Sequence, residues 1–294
     1  MKLEDFIEKN QLPDAFAESA ECCFLPYAER LASRLAAHGD KTYVLGINGA
    51  QGTGKSTLAH LLRDYLKSDY DKNVVVLSID DIYLTRDERA ALAQNVHPLL
   101  TTRGVPGTHD VALGIAVIKE LGALQAGEVC KVPRFDKSCD DRCVPAEWAT
   151  VTGPVDLVIF EGWCVGSMAQ YDDELEEPIN PLETSQDTDG RWRRYVNEQL
   201  RGDYLNLFKL IDSLLFLKVP DFQAVQRWRL EQEHKLRASA GADASAVMSD
   251  EQVAEFIQHF ERITTHNLAV LPGTADAVIE LDDAHQAVTN TYKD

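Results

Sequence analysis

Short, continuous apolar runs recur along the chain, separated by stretches with helical periodicity. The runs cover residues 43–47, 74–79, 155–160, 214–219 and 277–281. Runs of this length, rich in β-branched residues, predict strands that are buried on both faces. After the first run, apolar residues at positions 58, 61, 62, 65 and 66 predict an amphipathic helix. The alternation of buried strands with helices predicts an α/β fold around a parallel sheet.

Two segments depart from this alternation. Residues 1–40 place apolar side chains at helical spacing and predict a helical N-terminal extension. Residues 171–190 contain eight acidic and no basic residues, with Pro178, Pro181 and Gly190 among them. This composition predicts an acidic surface insertion that is solvated and carries no chemistry. No internal repeat divides the chain, so residues 1–294 are interpreted as a single domain.

The net charge of the chain argues against some classes of binding partner. The chain has 29 Lys and Arg residues against 48 Asp and Glu residues, a formal net charge of −19. Nucleic acids and anionic membranes repel such a surface, so neither is expected as a partner. No apolar run reaches the length of a transmembrane helix, and the acidic N-terminus lacks the features of a signal peptide. Six scattered cysteines predict reduced thiols, and a cytoplasmic location is expected.

A phosphate-binding loop follows the first predicted strand. It fits the pattern G-x-x-x-x-G-K-[ST], and its glycines let successive backbone N–H groups face one anion at a helix N-terminus. The Lys55 side chain is expected to reach the β- and γ-phosphates, and the Ser56 hydroxyl to ligate Mg²⁺. The predicted ATP-binding residues are Gly49, Ala50, Gln51, Gly52, Thr53, Gly54, Lys55, Ser56 and Thr57.

Carboxylates stand at the carboxyl ends of two further predicted strands, where ligands bind in open α/β sheets. Glu161 ends the third strand and is predicted, as a Walker B residue, to orient the Mg²⁺ shell. Asp80 and Asp81 end the second strand. A carboxylate at this position can face the γ-phosphate and accept a proton from an attacking hydroxyl. The alternative, which is credible for one of the two residues, is that it only caps the next helix. No Asn-Lys-x-Asp or Thr-Lys-x-Asp sequence for reading guanine is present.

Basic residues cluster in three further stretches, covering residues 103–110, 131–138 and 227–237. In an acidic protein that must hold a polyanion, such clusters favour phosphate or acceptor binding. Each arginine is equally well explained as a surface ion-pair partner, and a lone histidine such as His109 is usually structural.

Together these motifs resemble the D-glycerate 3-kinase-like P-loop kinases. The segments that carry the resemblance are, in chain order, GINGAQGTGKST, SIDDIYLT, RGVPGTHD, KVPRFDKS, FEGW, VNEQL and RWRLEQE. The chain is more distantly similar to uridine kinase, pantothenate kinase and phosphoribulokinase. The resemblance implies a three-layer P-loop fold with a mostly parallel five-stranded sheet, in which the Walker B strand lies beside the phosphate-loop strand. It also implies ATP as the phosphoryl donor and a helical lid over residues 221–265.

The resemblance also implies roles for individual residues. Asp80 matches the catalytic base, assisted by Lys55, while Arg227 and Arg229 match the lid arginines. Residues 271–276 match the segment beside the adenine. The implied acceptor-binding residues are Asp81, Tyr83, Arg103, His109, Arg134 and Lys137, and the implied metal-site residues are Ser56 and Glu161.

The leading hypothesis is an ATP- and Mg²⁺-dependent kinase that phosphorylates a small alcohol, with D-glycerate as the expected acceptor. Two alternatives stay open from the sequence. One keeps the kinase chemistry with a nucleoside, pantothenate or a sugar phosphate as acceptor. The other is a P-loop ATPase that uses hydrolysis as a switch, with the acidic 171–190 segment as a partner contact.

Overall fold

The computed structural model describes residues 1–240 and 248–293. Its strands are, in chain order, β1 (Tyr43–Gly49), β2 (Val74–Ser78), β3 (Val129–Val132), β4 (Phe135–Asp136), β5 (Asp141–Arg142), β6 (Ala149–Thr152), β7 (Leu157–Gly162), β8 (Ser213–Lys218), β9 (Ala277–Leu281) and β10 (Ala287–Tyr292). The central sheet has the order β10-β9-β8-β1-β7-β2, and β3–β6 and β4–β5 form two small antiparallel pairs. The sheet therefore places the phosphate-loop strand β1 directly beside β7, as predicted.

Helices surround this sheet. They are α1 (Leu3–Lys9), α2 (Phe16–Ser19), α3 (Leu25–His38), α4 (Lys55–Tyr70), α5 (Arg86–Asn95), α6 (Val111–Ala123), α7 (Pro181–Gln186), α8 (Arg191–Arg201), α9 (Asp203–Phe208), α10 (Phe222–Ala240) and α11 (Asp250–Thr274). The apolar face predicted for α4 packs on the sheet, since Leu58, Leu61, Leu62 and Leu66 are all buried. None of the described helices combines the length and the apolar composition that a bilayer span requires.

The five predicted strands are all present, and their pairing is parallel from β2 to β9. The sheet has one strand more than the resemblance implied, because β10 pairs antiparallel with β9 at the edge. In β10 only Ala287 is buried, and three consecutive polar residues, Thr289, Asn290 and Thr291, stand in the middle of the strand. An edge strand of this kind lacks the continuous apolar run that identified the others. The N-terminal extension contacts it, with the Ser19 hydroxyl accepting from the Ala287 N–H at 2.9 Å.

The acidic segment 171–190 differs from the predicted solvated loop. It forms a short 3₁₀ helix over Asp172–Leu175 and then helix α7. The side chain of Glu183 is fully buried and accepts two hydrogen bonds from the Arg262 guanidinium, at 2.8 and 2.6 Å. Asp187 is also fully buried and pairs with Arg193 at 3.0 Å. Net charge and prolines indicate a surface segment, yet two of its carboxylates anchor it to α11 and α8.

Candidate active site

A cleft of about 1390 Å³ lies over the carboxyl ends of β1, β2 and β7. It brings together residues from the phosphate loop, the two acidic strand ends, the β4–β5 hairpin and helix α10. The sequence-predicted residues that line it are Gln51, Gly52, Gly54, Lys55, Ser56, Thr57, Asp80, Asp81, Tyr83, Arg103, Lys137, Glu161 and Arg229. The cleft therefore brings six of the nine predicted ATP-binding residues and four of the six implied acceptor-binding residues into one space.

The phosphate loop curls tightly between β1 and α4. Gly52 and Gly54 have φ values of 81° and 82°, a left-handed conformation that favours glycine. The Thr53 hydroxyl donates to the Ala50 carbonyl at 2.9 Å, and the Lys55 ammonium donates to the same oxygen at 3.4 Å. Helix α4 begins at Lys55, so its free N–H groups and positive dipole end lie at the loop. This is the geometry that an anion such as a triphosphate requires.

Ser56 and Glu161 meet beside this loop. The Ser56 hydroxyl donates to Glu161 Oε1 at 2.8 Å. The other carboxylate oxygen, Oε2, is buried and has no hydrogen-bond partner among the described residues. A buried carboxylate oxygen without a partner, next to a hydroxyl oxygen, fits a hard divalent cation such as Mg²⁺.

Asp80 is held by two donors at the end of β2. Tyr83 Oη donates to Asp80 Oδ1 at 2.6 Å, and Lys137 Nζ donates to Oδ2 at 2.6 Å. Burial raises the pKa of the Asp80 carboxyl, but the ion pair with Lys137 and the hydrogen bond from Tyr83 outweigh it, so the pKa lies below its ordinary value. Asp80 is therefore ionised at neutral pH and faces the cleft.

Asp81 has a different environment. Its Oδ1 accepts a hydrogen bond from the Phe135 backbone N–H at 3.2 Å, which ties β4 to the end of β2. Burial raises the pKa of Asp81 above its usual value. Lys137 pairs with Asp80 through its ammonium, so the two neighbouring carboxylates are distinguished by their partners.

Arg103 and Arg134, the predicted acceptor-binding arginines, are placed differently. Arg103 lines the cleft, lies 5.5 Å over the Phe135 ring and pairs with Asp140. Arg134 is exposed and is not among the residues that line the cleft in the described part of the chain. Spacing alone does not separate the two arginines, because both lie in basic stretches of similar composition.

His109 does not contact the cleft within the described residues. It is buried behind Tyr83, and the two rings stack with centroids 4.7 Å apart. Burial lowers the pKa of the His109 imidazole to about 4, so the ring is neutral at physiological pH. The residue is therefore placed to support Tyr83 rather than to touch an acceptor.

Helix α10 brings only one of the two predicted lid arginines to the cleft. Arg229 lines the cleft and pairs with Glu233 at 2.6 Å. Arg227 lies on another face of the helix, where it is half exposed and pairs with Asp283 at 2.6 Å. Residues 241–247 of the predicted lid lie outside the described part of the chain. In the segment 271–276, expected beside the adenine, Leu271 and Ala275 are buried in a separate apolar cluster, and no described residue of the segment lines the cleft.

Two aromatic groups in the cleft were missed by the sequence reasoning. Trp228 stacks on His285 at a centroid distance of 4.2 Å, against the Gly52 end of the phosphate loop. No pattern connects these residues, which lie far apart in sequence. Trp163 immediately follows the Walker B strand and donates to the Gly104 carbonyl at 2.8 Å. Its position in the FEGW motif was a signal that could have identified it.

Comparison with known proteins agrees with this geometry. Residues 24–135 match the model of the KAP family P-loop domain. The chain is 37% identical over 236 residues to the uncharacterized kinase mug58 of Schizosaccharomyces pombe, covering 75% of this chain and 79% of that protein. It belongs to the P-loop kinases related to D-glycerate 3-kinase.

Two D-glycerate 3-kinases support this membership. The chloroplastic enzyme of Arabidopsis thaliana is 34% identical over 224 residues, which cover 74% of this chain but only 46% of the relative. The structure of D-glycerate 3-kinase from Cryptococcus neoformans superposes with a TM-score of 0.78 at 29% identity, covering 92% of this chain and 99% of the other. The predicted family and α/β fold are confirmed, and the kinase relatives indicate an ATP-dependent phosphotransferase acting on a small molecule.

Proposed function

We propose that this kinase transfers the γ-phosphoryl group of Mg²⁺-ATP to a hydroxyl of D-glycerate. The observation that carries the proposal is one cleft holding the phosphate loop, the ionised Asp80 and Arg103. An acceptor with a hydroxyl for Asp80 and a carboxylate for an arginine matches this pair of charges. The similarity to the two D-glycerate 3-kinases supports the same acceptor.

Transfer in such a site depends on positioning and charge neutralisation. The loop N–H groups and Lys55 neutralise the β- and γ-phosphates. The acceptor oxygen forms its bond to the γ-phosphorus, its proton passes to Asp80, and the bond from the γ-phosphorus to the bridging oxygen breaks to release ADP. Arg229 lies across the same cleft, where it can neutralise the phosphoryl group in transit.

Ser56 and Glu161 would hold Mg²⁺, since the two side chains meet at 2.8 Å and the second Glu161 oxygen is free to take a further partner within the described residues. When bound, the cation supplies neutralisation of charge on the β- and γ-phosphate oxygens. Around that site, Lys55 binds phosphate and Asp80 orients the acceptor.

An acceptor panel tests the proposal. ADP release from Mg²⁺-ATP is measured with D-glycerate, uridine, pantothenate, ribulose 5-phosphate or no acceptor, and Lys55→Ala serves as the blank. We expect stimulation by D-glycerate alone, with a phosphoglycerate product in the ³¹P spectrum. Stimulation by another acceptor would show that D-glycerate is not the substrate. A rate of ADP release that no acceptor changes would contradict a kinase that acts on any of these substrates.

The role of Asp80 is tested by Asp80→Asn. This change keeps an acceptor for Tyr83 but removes the proton acceptor, so we expect kcat to fall by about 10³-fold, within the range of general-base catalysis, while the ATP dissociation constant changes less than about twofold. Asp136→Asn is the matched control, because the Asp136 side chain is exposed and its carboxylate accepts hydrogen bonds only from Ser138 within the described residues. Normal turnover in Asp80→Asn would remove Asp80 from this role.

A further inference from the structure

Tyr204 of helix α9 is fully buried beside the acceptor side of the cleft. Its hydroxyl accepts a hydrogen bond from the Gly107 backbone N–H at 2.9 Å and lies 2.6 Å from Nδ1 of His109. Burial raises the pKa of the Tyr204 phenol well above its ordinary value, so the hydroxyl keeps its proton. A buried phenol of this kind is a fixed hydrogen-bond donor, and it has no part in the proposed phosphoryl transfer.

The hydrogen bonds assign the proton on His109. Of the two groups that contact the Tyr204 hydroxyl, the Gly107 N–H is a donor, so the proton of the phenol goes to Nδ1 of His109 at 2.6 Å. The opposite arrangement would leave the Tyr204 O–H without an acceptor among the described residues. The neutral His109 ring therefore carries its proton on Nε2, a buried donor that has no partner in the described part of the chain.

The His109 ring is coupled to Asp80 through Tyr83. The His109 and Tyr83 rings stack at 4.7 Å with an interplanar angle of 24°. Their backbones form an antiparallel bridge, flanked by hydrogen bonds of 2.9 Å from Leu84 N to the Thr108 carbonyl and 2.7 Å from Asp110 N to the Ile82 carbonyl. The Tyr83 hydroxyl then donates to Asp80 at 2.6 Å. A change in the orientation of the His109 ring would therefore move the donor that holds Asp80.

We infer that Tyr204 is a positioning residue for phosphoryl transfer: its hydroxyl fixes His109 as the neutral Nε2–H tautomer, and that ring holds Tyr83 against Asp80. The kinetic consequence rests on the proposed function, since it requires Asp80 to act on the acceptor. The tautomer assignment rests on the hydrogen bonds alone. The two parts are tested separately.

The tautomer is measured by ¹⁵N NMR on protein labelled at histidine. The chain has eight histidines, and the His109 signals are those lost in His109→Phe. We expect the wild-type protein to show a neutral Nε2–H ring at pH 7 and Tyr204→Phe to show the other tautomer or a mixture. Tyr195→Phe is the control, because the Tyr195 ring also lies against Gly107 but its hydroxyl makes no hydrogen bond within the described residues. A wild-type Nδ1–H ring, or an unchanged Nε2–H ring in Tyr204→Phe, would overturn the inference.

Kinetics then test positioning. We expect Tyr204→Phe to lower kcat by about tenfold, as for a modest displacement of reacting groups, with KM for ATP unchanged. His109→Phe keeps a stacking ring but removes the ring nitrogens, and it should cost about the same. The double variant should lose no more than either single variant, because both act through one link. Equal activity in Tyr204→Phe and wild type, or additive losses, would refute positioning. A wild-type protein that phosphorylates none of the tested acceptors would contradict the proposed function while the NMR result still decides the tautomer.

Discussion

Lys137 is expected to set the pH at which Asp80 becomes protonated. The two side chains meet at 2.6 Å, with Lys137 60% exposed and Asp80 31% exposed. With the dielectric constant of water, appropriate to so exposed an ammonium, attraction at this distance is about 1.6 kcal/mol, or about one pH unit. Lys137→Met removes this attraction, so less remains to oppose the increase that burial causes in the pKa of Asp80. The Asp80 pKa should therefore rise by about one unit.

The acid limb of the pH profile of kcat/KM reports this pKa. Asp80 acts when deprotonated, and its lowered pKa keeps it so below the ordinary aspartate range. In Lys137→Met the acid limb should move to higher pH by about one unit, whatever happens to the amplitude. Lys131→Met, a change of another exposed lysine, is the matched control. Samples returned to pH 7 must recover full activity, which separates titration from unfolding. An unmoved acid limb, or one that moves to lower pH, would refute the reasoning.

Three further outcomes follow from the same contacts. Arg229→Met should lower kcat by about 100-fold, because the cleft loses one donor that stabilises charge. Arg227→Met should change kcat by less than about twofold, because the ion pair of Arg227 lies outside the cleft. Near-equal effects of the two variants in steady-state kinetics would refute this. Glu183→Ala should lower the free energy of unfolding, measured in urea, by about 3 kcal/mol, because it leaves the buried Arg262 without its ion-pair partner. Glu177 is exposed, so Glu177→Ala should change the same free energy by less than about 0.5 kcal/mol. Chelation of Mg²⁺ should abolish transfer in the ADP assay and excess Mg²⁺ should restore it, whereas activity that persists in chelator would argue against the cation.

Much of the fold and of the donor side could be predicted from the sequence because its signals are local. A buried strand shows as a continuous apolar run, and the phosphate loop needs its glycines and Lys55 at fixed spacing next to a helix. Glu161 lies at the carboxyl end of β7, and because β7 pairs with β1 the sheet order brings it to the same edge as the loop. Strand β10 was missed since an edge strand does not need a continuous apolar run.

Only the tertiary structure decided which charged groups meet. Lys137 reaches Asp80 across 57 positions of sequence, and Glu183 is buried against Arg262 across 79. Residue type and spacing predict which side chains share one face of a helix. They carry no information on the distant group that a long charged side chain will contact. For the same reason Arg227 and Arg229, two positions apart, were indistinguishable until helix α10 was placed, with one facing the cleft and the other facing Asp283.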